Sequence, residues 1–280
     1  MTARSRAFRQ IDVFTQQPYR GNALAVVLDG TGLSDGQMQD FASWTQLSET
    51  TFLLPPTEPQ ADYRLRIFTP GGELPFAGHP TLGSCHAWLQ AGGQAHSAAC
   101  VVQQCAVGLV RIRRETSGLA FAAPALQRSA VDASALRPVI EALGLQDRHV
   151  LASQTLMNGP TWLGLLLDSA ETVRRLQPDH TRLRQLGTKV GVAARLSQGA
   201  DLLVRAFAAP IGVPEDPVTG SLNASLAQWL MAEGLMPSSY QASQGGSIGR
   251  DGRVRLHRES DGQLWVGGDS VTCIRGEVWL

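Results

Sequence analysis

The sequence has no long apolar run and no excess charge of either sign. Nowhere do its 280 residues contain the roughly 18 consecutive apolar residues of a membrane-spanning helix, and its first residues lack the apolar stretch of a signal peptide. Lys+Arg and Asp+Glu number 24 each, so the chain carries no net charge that would attract nucleic acid or an anionic membrane. These absences predict a cytoplasmic protein without nucleic-acid or membrane partners.

Cysteine and lysine are also scarce. The cysteines form no CxxC pair, which indicates reduced thiols rather than a disulfide framework; they are Cys85, Cys100, Cys105 and Cys273. His86 follows His79 by seven residues, but no HExxH motif or nearby carboxylate completes a zinc site, so we expect no metal. Lys189 is the only lysine, and its rarity by itself carries no functional inference.

The chain does contain enough apolar sequence for a sizeable core. Hydrophobic residues make up 43% and charged residues 17%, below the charged share of about 25% that is typical of soluble proteins. At roughly 100–200 residues per domain, the length indicates two domains. The segment Ala122–Ser134, rich in Ala, Pro, Ser and Gln, is the best candidate for the crossing. We expect an N-terminal lobe at 1–122 and a C-terminal lobe at 123–280, whose final strand is free to pack on the first lobe.

Local signals predict helices among short strands. Ser34 and Gln37 have the spacing of a capping box, which favours the start of a helix at this point. A second helix is expected from Pro80 to about Gln90, and another from about Pro217 to Glu233. Apolar runs bounded by Gly and Pro turns fill most of the remaining chain and indicate strands. The fold class predicted by these patterns is α+β.

One short motif occurs twice. His79-Pro-Thr-Leu-Gly-Ser84 aligns with Asp216-Pro-Val-Thr-Gly-Ser221, 137 residues further on. Each copy follows a strand that ends in phenylalanine and precedes a tryptophan in the next helix; these residues are Phe68 and Trp88, then Phe207 and Trp229. The same order at nearly the same offset indicates two similar α+β lobes. We expect their two motif loops to lie across one cleft, where ligand sites tend to form.

The second loop has two interpretations. Asp216 and Pro217 are favoured residues for the cap and first position of a helix and need no further role. Alternatively, the N–H groups of Thr219, Gly220 and Ser221, with the Ser221 hydroxyl, could hold an anion such as a carboxylate at the helix start. Both interpretations can hold at once.

His79 and Glu49 are candidates of the first half. His79 aligns with Asp216, and an imidazole there could donate to a carboxylate or polarise a carbonyl, although a structural histidine remains the alternative. Glu49 precedes an apolar strand and is either a surface carboxylate or a general base with a pKa raised by partial burial. The Gly-rich segment Gln244–Gly252 lacks the preceding strand and following helix of a dinucleotide site, so we interpret it as a tight loop.

These motifs together resemble the phenazine-biosynthesis F-type (PhzF-like) isomerase family, which has the diaminopimelate-epimerase fold. The matching stretches run in family order over nearly the whole chain: Ile11-Asp-Val-Phe with Gly21-Asn-Ala, Leu47-Ser-Glu-Thr, Phe68-Thr-Pro, Phe76-Ala-Gly-His-Pro-Thr, Glu215-Asp-Pro-Val-Thr-Gly-Ser, and Gln244-Gly through Gly249-Arg. The resemblance implies two pseudo-symmetric lobes, each with a mostly antiparallel sheet wrapped around a central helix, and an active site between them. It also implies a homodimer that needs no cofactor.

The resemblance assigns roles to particular residues. The family's proton-transferring glutamate matches Glu49, and its Gly-His pair matches Gly78 and His79. The aspartate and Gly-Ser of the second loop match Asp216, Gly220 and Ser221. Related racemases of this fold use one cysteine in each lobe; the corresponding loops here, Gly78-His79 and Glu215-Asp216, contain none, which argues against two-thiol racemisation.

The expected function is an isomerase that shifts a proton and a double bond on a small cyclic or unsaturated amino or hydroxy acid. In this mechanism Glu49 removes and returns the proton, while His79 and Asp216 hold polar groups and stabilise an enol-like intermediate. The substrate carboxylate would rest near Gly220 and Ser221. Two alternatives stay open: a racemase or epimerase that uses Glu49 with another base, and a non-catalytic small-acid binding protein.

Overall fold

The computed structural model describes residues 3–280, which divide into two compact units. The first comprises the chain up to Ala122 together with Gly267–Leu280, and the second is Ala123–Val266. The sequence predicted a second lobe at 123–280, of which only the final strand was free to pack on the first. In the structure all of Gly267–Leu280 belongs to the first unit, because the last strand pairs there along its whole length. No helix in the described part of the chain is long and apolar enough to cross a membrane.

The elements alternate between strands and helices in both halves of the chain. Residues 3–122 contain β1 (Ser5–Val13), β2 (Asn22–Val27), α1 (Asp35–Thr45), β3 (Glu49–Leu54), β4 (Tyr63–Thr69), β5 (Gly72–Leu74), α2 (Gly78–Gln90), β6 (Cys100–Cys105), β7 (Gly108–Arg114) and β8 (Leu119–Ala122). Residues 123–280 contain β9 (Gln127–Ser129), α3 (Ala133–Ala142), β10 (Val150–Met157), β11 (Thr161–Leu167), α4 (Ala170–Arg175), α5 (His180–Leu186), β12 (Val190–Arg195), β13 (Leu202–Ala208), β14 (Val213–Asp216), α6 (Gly220–Ala232), β15 (Ser239–Gln244), β16 (Gly252–Arg258), β17 (Leu264–Gly268) and β18 (Ser270–Trp279).

The sheet of the first unit is mostly antiparallel. Its strand order is β18-β1-β2-β3-β4-β6-β7-β8, with β5 paired to the end of β4. Two neighbouring pairs, β2 with β3 and β4 with β6, run parallel. Each parallel pair brackets a helix in the chain: α1 connects β2 to β3, and α2 lies between β4 and β6.

Helix α2 forms the centre of the first unit. Its residues from Gly78 to Cys85 are all buried, and strands on several sides contact it, among them β1, β2, β3, β8 and β18. Gly83 permits the closest approach, since a Cβ at this position would lie 2.6 Å from Leu24 Cδ2 and 2.8 Å from Val13 Cγ2. The helix and the sheet can pack at this distance only because residue 83 has no side chain.

Helix α1 covers a smaller apolar cluster of the same unit. Ser34 and Gln37 form the predicted capping box, with both reciprocal contacts present. Met38 and Ala42 of α1 pack against Phe52 and Phe68 from the neighbouring strands. The cap fixes where the helix begins, and the apolar face fixes which side of the helix meets the sheet.

The second unit repeats this plan. Its strands follow the order β9-β10-β11-β12-β13-β15-β16, with β14 paired to β13, and the parallel pairs are β11 with β12 and β13 with β15. The central helix is α6, whose residues are buried over most of its length. Helices α3, α4 and α5 contribute to a core on the other side of the sheet with alternate residues of β11 and β12. The two units therefore share one order of strand pairing.

The register of the repeat differs from that inferred from the motifs. β4 and β13 lie 139 residues apart, but α2 and α6 begin 142 residues apart. The second unit has three more residues between strand and helix. His79, the second residue of α2, therefore corresponds to Ser221. The aligned motifs had predicted that it corresponds to Asp216.

The predicted start of the helix in the second loop is also wrong. Asp216 is the last residue of β14 and pairs with Ala206, so its backbone is extended. The helix begins at Gly220 with Thr219 as its cap. Because the strand continues through Asp216, the Asp-Pro pair cannot start the helix despite its favourable composition.

Candidate active site

In the first unit, Glu49 and His79 are brought together. Glu49 is the first residue of β3 and His79 is the second residue of α2. The Oε2 atom of Glu49 lies 3.2 Å from Nε2 of His79, and the side chains are 15% and 6% exposed. The pair is therefore close and largely removed from water, although the two atoms are not aligned as a hydrogen bond. Both residues had been predicted as site residues.

The alternation of side chains along β3 explains the placement of Glu49. Thr51, two residues further on, faces α2, because its Oγ1 lies 2.9 Å from Oγ of Ser84. Side chains two residues apart point to the same face of a strand, so Glu49 also faces α2. Its backbone pairs with Leu24 on β2, which anchors the start of the strand in the middle of the sheet.

The N-terminus of α2 adds free donors to this pair. The cap residue, Ala77, has no side-chain group to cap the helix, and the first hydrogen bond of the helix runs from the Thr81 N–H to the Ala77 carbonyl. The N–H groups of Gly78 and His79 precede that bond, while Pro80 has none. Such groups carry the positive end of the helix dipole and favour an anionic partner.

Burial keeps His79 neutral. Burial lowers the pKa of the His79 imidazole to about 3, because a charged ring would lack the hydration by water that it has in the unfolded chain. At neutral pH the ring therefore has one N–H group, which is on either Nδ1 or Nε2 according to the tautomer. A neutral imidazole beside Glu49 does not form a full ion pair with its carboxylate.

In the second unit, a buried amide network surrounds Asp216. The Thr219 hydroxyl donates to Oδ2 of Asp216 in a short hydrogen bond. Nε2 of Gln244 donates to the Asp216 carbonyl at 3.0 Å and to Oγ1 of Thr219 at 2.9 Å. Its Oε1 accepts from the Thr219 N–H at 3.1 Å and from Nδ2 of Asn223 at 2.8 Å. Gln244 is fully buried and so fixes both sides of the loop that carries Asp216.

This network changes one expectation for the anion site. Thr219 was predicted to offer its N–H to a ligand, but that group donates to Gln244 instead. The first intrahelical hydrogen bond joins the Asn223 N–H to the Thr219 carbonyl at 3.0 Å. The N–H groups of Gly220 and Ser221 precede it and have no carbonyl acceptor within the helix. They remain in place as donors for an anion.

Two further side chains hold Ser221. Nε1 of Trp162 donates to the Ser221 hydroxyl oxygen at 3.3 Å, and Nδ2 of Asn158 donates to the Ser221 carbonyl at 3.1 Å. The sequence gave no signal for either residue, since their partners lie about 60 positions away. A hydroxyl that accepts from Trp162 still has its own proton to donate.

A buried ion pair anchors the strand that ends in Asp216. Arg205 donates to Glu215 through Nε at 3.0 Å and through Nη2 at 2.8 Å, and each side chain is 7% exposed. Nη1 of Arg205 also donates to the carbonyls of Val173 and Leu176. Such two-pronged pairing holds Glu215, and with it the neighbouring Asp216, in one orientation. Glu215 belongs to a sequence motif, whereas no sequence pattern indicated Arg205.

Within residues 3–280, no group of three or more His, Cys, Asp or Glu side chains is placed to hold a metal ion. The pair of Glu49 and His79 alone supplies two of the three or four protein ligands that zinc sites use.

Comparison with known proteins gives a matching family and similar relatives. A family model described as phenazine biosynthesis-like protein matches residues 11–276. "Antisense-enhancing sequence 1" of Schizosaccharomyces pombe is 36% identical over 98% of this chain and 99% of the relative. Trans-2,3-dihydro-3-hydroxyanthranilate isomerase of Pseudomonas aeruginosa is 32% identical over 96% of this chain and 98% of the relative.

A solved structure agrees with the fold. The crystal structure of a PhzF-family phenazine biosynthesis protein from Bacillus anthracis matches 99% of this chain and 100% of its own, with a TM-score of 0.86. At 23% identity this likeness shows the fold alone. The fold is of the diaminopimelate-epimerase type, as the sequence motifs predicted.

Proposed function

We propose that this chain, which belongs to the phenazine biosynthesis-like (PhzF) family of isomerases, moves a proton on a small carboxylated substrate without a cofactor. The observation that carries the proposal is the buried contact between Glu49 and His79. A cyclic or unsaturated amino or hydroxy acid is the substrate class that fits, because conjugation makes a carbon-bound proton acidic enough for a positioned base. The substrate named for the Pseudomonas relative belongs to this class.

Glu49 is assigned the proton transfer. As a carboxylate it takes a proton from one carbon, and the electron pair of the broken C–H bond enters the conjugated system to form an enol-like intermediate. As a carboxylic acid it returns the proton to another carbon, so the double bond shifts and no electrons enter or leave. A base that also serves as acid must exist in both protonation states during the reaction.

His79 is assigned the stabilisation of the intermediate. With a pKa lowered to about 3 by burial, the imidazole does not neutralise Glu49 by forming a full ion pair with it. Its single ring N–H can donate to the substrate oxygen on which negative charge develops, and the backbone N–H groups of Gly78 and His79 lie at the same helix end. Preorganised donors of this kind favour the charged transition state over the neutral substrate.

Asp216, Gly220 and Ser221 are assigned to substrate binding and orientation. The N–H groups of Gly220 and Ser221, with the Ser221 hydroxyl, are suited to hold a carboxylate at the positive end of α6. Asp216 is held by Thr219 and by the strand that Arg205 anchors. We propose that its carboxylate accepts a hydrogen bond from the amino or hydroxyl group of the substrate and orients the reacting carbon.

The test compares Glu49→Gln with the wild type on trans-2,3-dihydro-3-hydroxyanthranilate and on related unsaturated amino and hydroxy acids. Loss of a positioned base should lower kcat by about 10²–10⁴-fold. Glu58→Gln is the matched control, because Glu58 is an exposed carboxylate of the same unit and its replacement should leave kcat unchanged. Turnover by Glu49→Gln at the wild-type rate would rule out the assignment of Glu49.

A further inference from the structure

The only lysine of the chain faces the first turn of α6. Lys189 immediately precedes β12, and its carbonyl accepts the Leu163 N–H at 2.8 Å, so the strand pairing extends to it. Gly191, two residues further on, faces α6, because a Cβ there would lie 2.3 Å from Leu222 Cδ1. Side chains alternate along a strand, which places Lys189 on the same face as Gly191.

A buried tryptophan connects Lys189 to that turn. The ammonium nitrogen of Lys189 lies 5.2 Å from the ring centroid of Trp162, within the range of a cation–π contact. The same indole donates its N–H to the Ser221 hydroxyl oxygen at 3.3 Å. Trp162 is buried, so it is a fixed platform between the cation and the helix end.

Lys189 has no acidic partner in the part of the chain that the structure describes. No carboxylate of residues 3–280 lies within ion-pair distance of its ammonium group, although the side chain is half-buried. Burial lowers the pKa of Lys189, and no neighbouring negative charge opposes that effect. A cation and the positive end of a helix are thus connected through one indole ring, and an anion between them would be stabilised by both.

An unpaired acceptor lies at the same turn. Asn158 is 5% exposed and donates through Nδ2 to the Ser221 carbonyl at 3.1 Å. Its Oδ1 is buried and has no hydrogen-bond partner among the described residues. Because a buried acceptor without a donor costs free energy, this oxygen marks the turn as a place where a polar ligand group binds.

We propose that Lys189 binds the carboxylate of the substrate at the first turn of α6 and determines the preference for anionic over neutral ligands. Oδ1 of Asn158 accepts from an N–H or O–H group next to that carboxylate. The ligand class is therefore a carboxylate flanked by a hydrogen-bond donor. The inference rests on the proposed function only in taking the ligand to be a carboxylated substrate.

Calorimetric binding of two small probes tests the proposal. Anthranilate carries a carboxylate beside an amino group, and anthranilamide replaces the carboxylate by a neutral amide of the same shape. We expect the wild type to prefer anthranilate, and Lys189→Met to weaken anthranilate binding by about tenfold or more, since one charge-assisted contact is lost. Lys189→Met should change anthranilamide binding little, and Lys189→Arg should retain most of the preference.

Arg148→Met is the matched control, because it removes one positive charge at an exposed position of the same unit. Equal wild-type affinity for the two probes, or unchanged anthranilate binding by Lys189→Met, would overturn the proposal. Lys189→Gln serves if the methionine variant does not fold. The readout involves no turnover, so it stays decisive even if Glu49→Gln proves fully active and the catalytic assignment fails.

Discussion

At the residue scale, the chemistry of the first unit depends on the charge of His79, which burial keeps neutral. Glu49 and His79 lie 3.2 Å apart, and burial holds the pKa of His79 at about 3. A charged imidazole at this distance would compete with the substrate for the Glu49 carboxylate. The neutral ring instead leaves the base intact and keeps an N–H for the intermediate.

The lowered pKa of His79 predicts how stability depends on pH. Between 6.5 and about 3 the unfolded chain binds a proton on this imidazole that the folded chain excludes, so stability is lost as the pH falls through this interval. The loss is worth about 1.4 kcal/mol for each unit by which the pKa is lowered. Urea titration of the His79→Gln variant at several pH values should show a shallower decline in the free energy of unfolding.

His257→Gln is the control for this experiment, because it removes an exposed histidine of the other unit and should retain the wild-type slope. If His79→Gln and the wild type lose stability in parallel as the pH falls, the imidazole is not held neutral in the folded chain.

The sequence predicted the candidate site residues better than it predicted the residues that hold them in place. Glu49, His79 and Asp216 stand in short motifs that the sequence displays directly. Arg205 stands in no such motif, and the motif that contains Gln244 did not indicate its hydrogen bonds, because the partners of both residues lie 10 to 32 residues away along the chain and are brought close only by strand pairing. A buried amide or guanidinium is identifiable only once the groups around it are known.

At the element scale, Gly83 allows α2 to pack closely against the sheet of the first unit. Gly83→Ala would place a Cβ 2.6 Å from Leu24 Cδ2 and 2.8 Å from Val13 Cγ2. We expect the free energy of unfolding to fall by about 1–3 kcal/mol, as for other overpacked cores. Chemical denaturation measures the change.

Gly36→Ala provides the comparison, because Gly36 lies in the first turn of α1 and a Cβ there would meet only Oγ of Ser34, at 3.9 Å. Alanine at such a site should leave stability unchanged or raise it by up to about 1 kcal/mol. Equal effects of the two substitutions would contradict the tight packing of α2.

Element boundaries were predictable where the signal is local. The capping box of Ser34 and Gln37 acts within one turn, and the predicted start of α1 is confirmed. The start of α6 was not predictable in this way, because Asp216 pairs with Ala206 of another strand and so remains extended. The resulting three-residue difference also shifted the repeat, so that Ser221 rather than Asp216 is the counterpart of His79.

At the scale of the whole molecule, the chain is a repeat whose last strand returns to the first unit. β18 pairs with β1 in the first unit, as β9 pairs with β10 in the second. In the first unit, the strand next to β1 therefore comes from the end of the chain. In the second unit, the strand next to β10 comes from the beginning of that unit. Composition and length indicated two domains, but pairing between residues 5 and 279 has no signature in local sequence.

Assembly is a further prediction at this scale. The resemblance of the motifs to the PhzF-like family implies a homodimer, and we expect light scattering to give twice the mass of one chain. A mass that stays at one chain over a wide range of concentrations would contradict this expectation.

Glu49 is assigned the transfer of a proton between two carbons, and turnover in deuterated water measures that transfer. With trans-2,3-dihydro-3-hydroxyanthranilate as substrate, nuclear magnetic resonance follows deuterium at the carbon that receives the proton. We expect the wild type to deliver hydrogen to this carbon, either as substrate protium that Glu49 has carried or as deuterium that Glu49 has exchanged with solvent. Glu49→Gln should do so about 10²–10⁴-fold more slowly, while Glu58→Gln matches the wild type. Delivery of hydrogen to this carbon by Glu49→Gln at the wild-type rate would contradict the assignment of Glu49.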